Sequence, residues 1–98
     1  MLNMKSESLD RLFEAILHLE TVEECYRFFE DVCTVKEIRD IAQRLDVAKY
    51  LSSGSNYQVI SALTGASTAT ISRVNRCLHY GSGGYREILQ KLEEGAKE

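Results

Sequence analysis

Residues 57–76 read Tyr-Gln-Val-Ile-Ser-Ala-Leu-Thr-Gly-Ala-Ser-Thr-Ala-Thr-Ile-Ser-Arg-Val-Asn-Arg, and the chemistry these types can do is recognition rather than bond-making. If the stretch from Ser67 to Tyr80 is helical with Ile71, Val74 and Leu78 turned inward, Thr68, Ala69, Ser72, Arg73 and Arg76 are left outward, with Ser67 at the helix start. Small hydroxyl and methyl side chains at a helix N-terminus let the backbone approach base edges. Thr or Ala can touch a thymine methyl, and Arg can read guanine or hold a phosphate. The free N–H groups and positive dipole end of the same terminus suit a phosphate. Such a helix must be held by a second one across a tight turn, and the turn needs a residue at ease in the left-handed region. Gly65 supplies that residue, and Ser61 supplies the small side chain that close crossing requires. The spacing predicts a helix-turn-helix over 57–80 whose recognition helix is 67–80, with double-stranded DNA as partner.

Other chemistries lack their parts. Cys25, Cys33 and Cys77 are an odd number without a C-x-x-C pair, so neither a disulfide framework nor a zinc site has the right arithmetic. Each fits an apolar helix face as a small buried hydrophobe. His18 and His79 are far apart and have no ligand partners, so no metal is expected. No nucleophile–base pair appears, and Gly81-Ser-Gly-Gly84 is too short for a phosphate cradle and follows a helix; it reads as a hinge. No enzyme is expected and no catalytic residue is named.

The overall charge of −3 argues at first against a polyanion partner, but it is an average. All fifteen acids lie in 1–46 or 87–98, while residues 47–86 hold Lys49, Arg73, Arg76 and Arg86 and no acid. That window is +4, and the remainder is −7. Ninety-eight residues suffice for one small domain with a thin core. The start, Met1-Leu-Asn-Met-Lys-Ser-Glu-Ser, has no apolar leader, and no apolar run approaches a membrane span. The expected location is the cytoplasm.

The elements that must position the reading segment are helical throughout. Leu9, Leu12, Phe13, Ile16 and Leu17 form one stripe on a helix of about 8–19. Thr21-x-x-Glu24 and Thr34-x-x-Glu37 have capping-box spacing and start two more helices. The second turns Val22, Cys25, Phe28, Phe29 and Val32 inward. The third, about 34–53, turns Ile38, Ile41, Ala42, Leu45 and Ala48 inward, with Val47 and Leu51 widening the stripe until Gly54 ends it. Val59, Ile60 and Leu63 are the apolar side of the short helix before Gly65. A last helix, 84–94, carries Tyr85, Ile88, Leu89 and Leu92, and the tail 93–98 is expected to fray. The fold class is all-α: about six helices in one domain spanning 1–98, with the helix-turn-helix in the C-terminal half.

The run Gly65-Ala-Ser-Thr-Ala-Thr-Ile-Ser-Arg-Val-Asn-Arg-Cys-Leu-His-Tyr-Gly81 closely resembles the signature of the Trp-repressor-related YerC/YecD group of the Trp repressor superfamily. The resemblance extends upstream through Leu51–Gly54 and the 34–44 region, about the C-terminal two-thirds. It implies an intertwined all-helical homodimer in which helices within 8–53 form a shared core and each subunit projects one reading head. It also implies a ligand pocket. Arg44 and Arg73 stand at the positions of the two arginines that flank L-tryptophan in the Trp repressor pattern, and Thr34 and Thr70 at those of threonines. Val74 replaces a glycine over the ligand and Cys77 replaces a serine. A valine there adds three carbons where the ring would pack, which costs about 1–3 kcal/mol. The implied corepressor is L-tryptophan or another small molecule, and Val74 and Cys77 count against tryptophan.

The expected function is a sequence-specific transcriptional regulator, a repressor, that binds a palindromic operator as a homodimer. The alternative is a helical protein–protein interaction module without DNA binding, which would need a large apolar anchor on the outer face of 67–76. That face is hydroxyl and Arg.

Overall fold

The computed structural model describes residues 5–97, and among them the secondary structure is helix and connecting turns: α1 (Glu7–Leu17), α2 (Val22–Val32), α3 (Val35–Ser52), α4 (Tyr57–Thr64), α5 (Thr68–Tyr80) and α6 (Gly84–Lys97). The opening residues 1–4, part of the segment read above as lacking a leader, and Glu98 lie outside the described residues. The chain divides into two compact units, one through Ile38 and the other from Arg39 onward.

The helix starts follow local hydrogen-bond chemistry. At α2 the Thr21 hydroxyl accepts from the Glu24 N–H at 3.1 Å, and the Glu24 carboxylate accepts from the Thr21 N–H at 3.0 Å. Thr34 and Glu37 repeat the arrangement at α3, at 3.1 and 2.8 Å. Both boxes are therefore formed as their spacing predicts. The Glu20 N–H, at 2.7 Å, and after it the Thr21 N–H hold the Glu24 carboxyl below the usual range, and the Thr34 N–H does the same for Glu37. Ser6, which periodicity alone did not single out, caps α1 by accepting from the Leu9 N–H, so the helix starts at Glu7.

In the first unit the apolar stripes are present and only partly covered. Neither α1 nor α2 contains a buried residue, and Phe13, Leu17, Val22, Tyr26, Val32 and Val35 are all exposed, Leu17 by 82%. Phe28 and Phe29 meet edge to face at 5.3 Å.

The core lies in the second unit. Val47 and Ala48 of α3, Ile60 of α4, Ala66 of the turn, and Ile71 and Val74 of α5 form one buried cluster, with Tyr50, Leu51, Tyr57, Tyr85 and Leu89 against it. Burying Ile60, Ile71 and Val47 fully contributes about 1.5–3 kcal/mol each relative to exposure. The inward assignment of α5 holds at Ile71, Val74 and Leu78. It fails for part of α3 and α4: Ile41, Val59 and Leu63 are exposed, and Val47, placed on the margin of the stripe, is completely buried. The stripe on α3 is wider than its neighbours in one chain can cover, so only the C-terminal part, opposite α4 and α5, is sealed.

Two smaller expectations are corrected. Residues 93–97 remain in α6 instead of fraying, even across Gly95, and Gln90 donates to Glu94 one turn on. Cys77 is exposed, because α5 turns it toward an open pocket, while Cys25 and Cys33 are half-buried. Residues 81–83 join α5 to α6, and a Cβ on Gly81 would fall on the Cys77 carbonyl.

Candidate nucleic-acid interface

Asn56 caps α4 through its side-chain oxygen, which accepts from the Val59 N–H at 2.9 Å, and Gly65 ends the helix at φ +76. The left-handed conformation turns the chain within three residues, since Ser67 already caps α5 by accepting from the Thr70 N–H. Two further bonds fix the turn. The Ser61 hydroxyl donates to the Ala66 carbonyl at 2.9 Å, so the small residue required for close crossing also ties the helices together. From α3, the Gln43 amide donates to the Thr64 carbonyl at 3.1 Å. Sequence reasoning missed Gln43, because a single polar residue on a long helix carries no sign of a distant carbonyl partner.

A helix advances about 100° per residue, so α5 divides into faces. Ile71, Val74 and Leu78 face the core. Opposite them run Ala69, Arg76 and Tyr80, all exposed, with Tyr80 at 87% the most exposed large apolar residue among those described. One flank carries Thr68, exposed, and Ser72, half-buried. The other carries Thr70, Arg73 and Cys77. Of the six residues expected to face DNA, Thr68, Ala69 and Arg76 stand free on the surface. Ser67 is exposed but its hydroxyl is engaged, accepting from the Thr70 N–H and donating to Thr70 Oγ1 at 3.1 Å. Arg73 is exposed on the flank that lines the pocket.

That pocket, of about 230 Å³, is lined by Arg44, Thr70, Arg73, Val74, Cys77 and Tyr85. Three of the four residues implied for a ligand site are thus brought together. Thr34 belongs to the other compact unit, and its hydroxyl caps α3. Tyr85 is the wall that sequence reasoning assigned only to a helix face. Burial chiefly pushes its phenol pKa up, Cys77 adds to the rise, and the Arg44 and Arg73 guanidiniums oppose it; the phenol is protonated and a donor at neutral pH.

The remaining cations differ in role. Lys49 is exposed in the last turn of α3. Arg86, another cation of the acid-free window, donates from Nε to the Leu78 carbonyl at 2.7 Å and lies 3.4 Å from His79 Nδ1. It caps the negative end of α5. Among the described residues no group of His, Cys, Asp or Glu is arranged to hold a metal, and no helix is long and apolar enough to cross a membrane.

A short helix, a glycine turn and a second helix with an acid-free outer face define the helix-turn-helix class. Residues 7–93 match the family described as Trp repressor protein. The chain is 53% identical to YerC of Bacillus subtilis (strain 168) over 91 residues, covering 93% of this chain and 88% of that one. A crystal structure of a TrpR-like protein from Eubacterium eligens superposes with a TM-score of 0.90 at 50% identity, covering 92% of this chain and 93% of the other. A solved chain from Staphylococcus aureus gives 0.89 at 51%, covering 92% and 90%. The chain belongs to the Trp repressor family and has its all-helical fold.

Proposed function

We propose that this protein is a cytoplasmic, homodimeric transcriptional repressor that reads a near-palindromic operator by inserting α5 into the major groove. The observation that carries this is the helix-turn-helix itself: Gly65 at φ +76 sets the crossing, and α5 presents Thr68, Ala69 and Arg76 outward from a window without a single acid. Thr68 and Ala69, in the first turn, suit thymine methyl contact at close backbone approach, and Arg76, two turns on, suits guanine or phosphate. Ser67 and Ser72 border this surface, and Arg73 lies between it and the pocket.

Dimerisation is supported by the uncovered apolar surface of α1, α2 and the first half of α3, including Phe13, Leu17, Val35 and Ile41. Apolar exposure on this scale marks an interface, and the helices within 8–53 are the dimerising part. Two reading heads related by a two-fold axis would enter successive major grooves about 34 Å apart. The pocket of Arg44, Thr70, Arg73 and Tyr85 borders the reading helix and would serve a small effector; Val74 and Cys77 make it a poor site for tryptophan. The test is selection of bound fragments from genomic DNA by the purified protein, followed by mobility shifts with Thr68→Ala and Arg76→Ala variants. Enrichment of a two-fold symmetric sequence with weakened binding by both variants is expected. Failure to retard any fragment at low salt would contradict the proposal.

A further inference from the structure

Tyr80 closes α5 with 87% of its surface exposed, so the core gains nothing from its ring. It stands on the outer face in line with Ala69 and Arg76. At 1.5 Å per residue it lies about 16 Å along the helix from Ala69. The major groove is about 12 Å wide and about 8.5 Å deep. With the first turn of α5 against base edges, position 80 is past the bases and level with the sugar–phosphate rim. A phenol suits that place. It is a stiff side chain with an O–H donor at its tip, and tyrosine is among the residues that bond phosphate oxygens.

The local charge favours the same contact. The carbonyl end of a helix repels a phosphate, but Arg86 donates to the Leu78 carbonyl and offsets that end of the dipole. His79, whose ring lies 6.3 Å from that of Tyr80, is 3.4 Å from the same guanidinium. Residues 47–86 contain no acid, and the first acid beyond them is Glu87, in the first turn of α6.

We propose that the Tyr80 phenol of each subunit donates to a backbone phosphate at the rim of the major groove, beyond the bases that the first turn of α5 reads. The inference rests on the reading of α5 as the recognition helix and extends its DNA surface one turn past Arg76. A neutral donor there releases no counterion and carries no sequence information, so it fixes register without steepening the dependence on salt.

The experiment is a mobility-shift salt series on the fragment selected from genomic DNA, for wild type, Tyr80→Phe and Tyr80→Ala, with ethylation interference to map the phosphates each protein needs. Both variants should bind about tenfold more weakly, each complex losing one bond per subunit. Their Tm and their slope against salt should match wild type, in contrast to Arg76→Ala. Wild type should be blocked by ethylation of one outer phosphate in each half-site, at a position to which Tyr80→Phe is indifferent. Wild-type affinity in Tyr80→Phe would overturn the inference, including the case in which only Tyr80→Ala is weakened and the ring alone makes the contact. An interference pattern identical in wild type and Tyr80→Phe would overturn it too. Retardation by wild type with Tyr80→Phe unchanged sinks only the phosphate contact, whereas failure of wild type to retard any fragment sinks the recognition reading beneath it.

Discussion

Gly65→Ala separates backbone strain from crowding at the centre of the reading head. Gly65 sits at φ +76, and a Cβ added there would meet only the Gln43 amide nitrogen, at 3.9 Å. That is ordinary van der Waals contact, so the cost is conformational, about 1–2 kcal/mol for an L residue held in the left-handed region. For a chain of 98 residues each kcal/mol lowers Tm by roughly 4–8 °C. Asn tolerates this conformation better than Ala, so Gly65→Asn should recover a measurable part of the loss. Gly81 provides the opposite case. Its φ of −86 is open to any residue, but a Cβ would fall on the Cys77 carbonyl. At position 81, therefore, Asn should be no better than Ala. Far-UV circular dichroism melts of the four variants at one fixed protein concentration give the comparison, the fixed concentration removing any mass-action shift from dimerisation. If Gly65→Ala leaves Tm within about 1 °C of wild type, or Asn and Ala rank the same way at both glycines, the account of the turn is wrong.

Glu24 and Glu37 have carboxyl pKa values held below the usual range by backbone donors, the N–H groups of Glu20 and Thr21 for the first and of Thr34 for the second. A depressed folded-state pKa means that this contribution is present above the unfolded value and lost as pH falls through the folded one. Melts from pH 7 down to pH 3 should therefore show a smaller acid loss for Glu24→Gln with Glu37→Gln, which keep the cap but not the charge; an unchanged acid profile would refute it. Arg86→Ala removes the Nε bond to the Leu78 carbonyl and should destabilise by about 0.5–1.5 kcal/mol in urea titrations while leaving the slope of DNA affinity against salt unchanged. Arg76→Ala should flatten that slope by about 1.8 if each of two subunits loses one phosphate contact, as measured by mobility shifts across a salt series.

Much of the fold is legible because it is written in local chemistry. Thr21 with Glu24, Thr34 with Glu37, Ser67, and the Ser61–Gly65 pair each determine a helix end or a turn through neighbours a few residues away. What periodicity does not tell is which part of an apolar stripe finds a cover within one chain. Ile41 and Val47 both belong to the wide apolar face of α3, yet one is 56% exposed and the other fully buried, because α4 and α5 reach only the C-terminal half. The same limit applies at the site. Arg73 and Arg76 are equivalent cations in the sequence, and only the position of α6 shows that one borders a pocket with Tyr85 and the other lies on the open face. Arg86 is one more cation in the sequence, and only the turn between α5 and α6 brings it to the Leu78 carbonyl.

The central claim is that two copies of α5 read DNA together. Hydroxyl-radical footprinting of the purified protein on its selected fragment, with the mass of the same complex measured in solution, tests this most directly. The account predicts two protected half-sites one helical turn apart, about 34 Å, in a complex of two protein chains per duplex. A single protected site bound by one chain, or no protection at a salt concentration where the protein is folded, would contradict it.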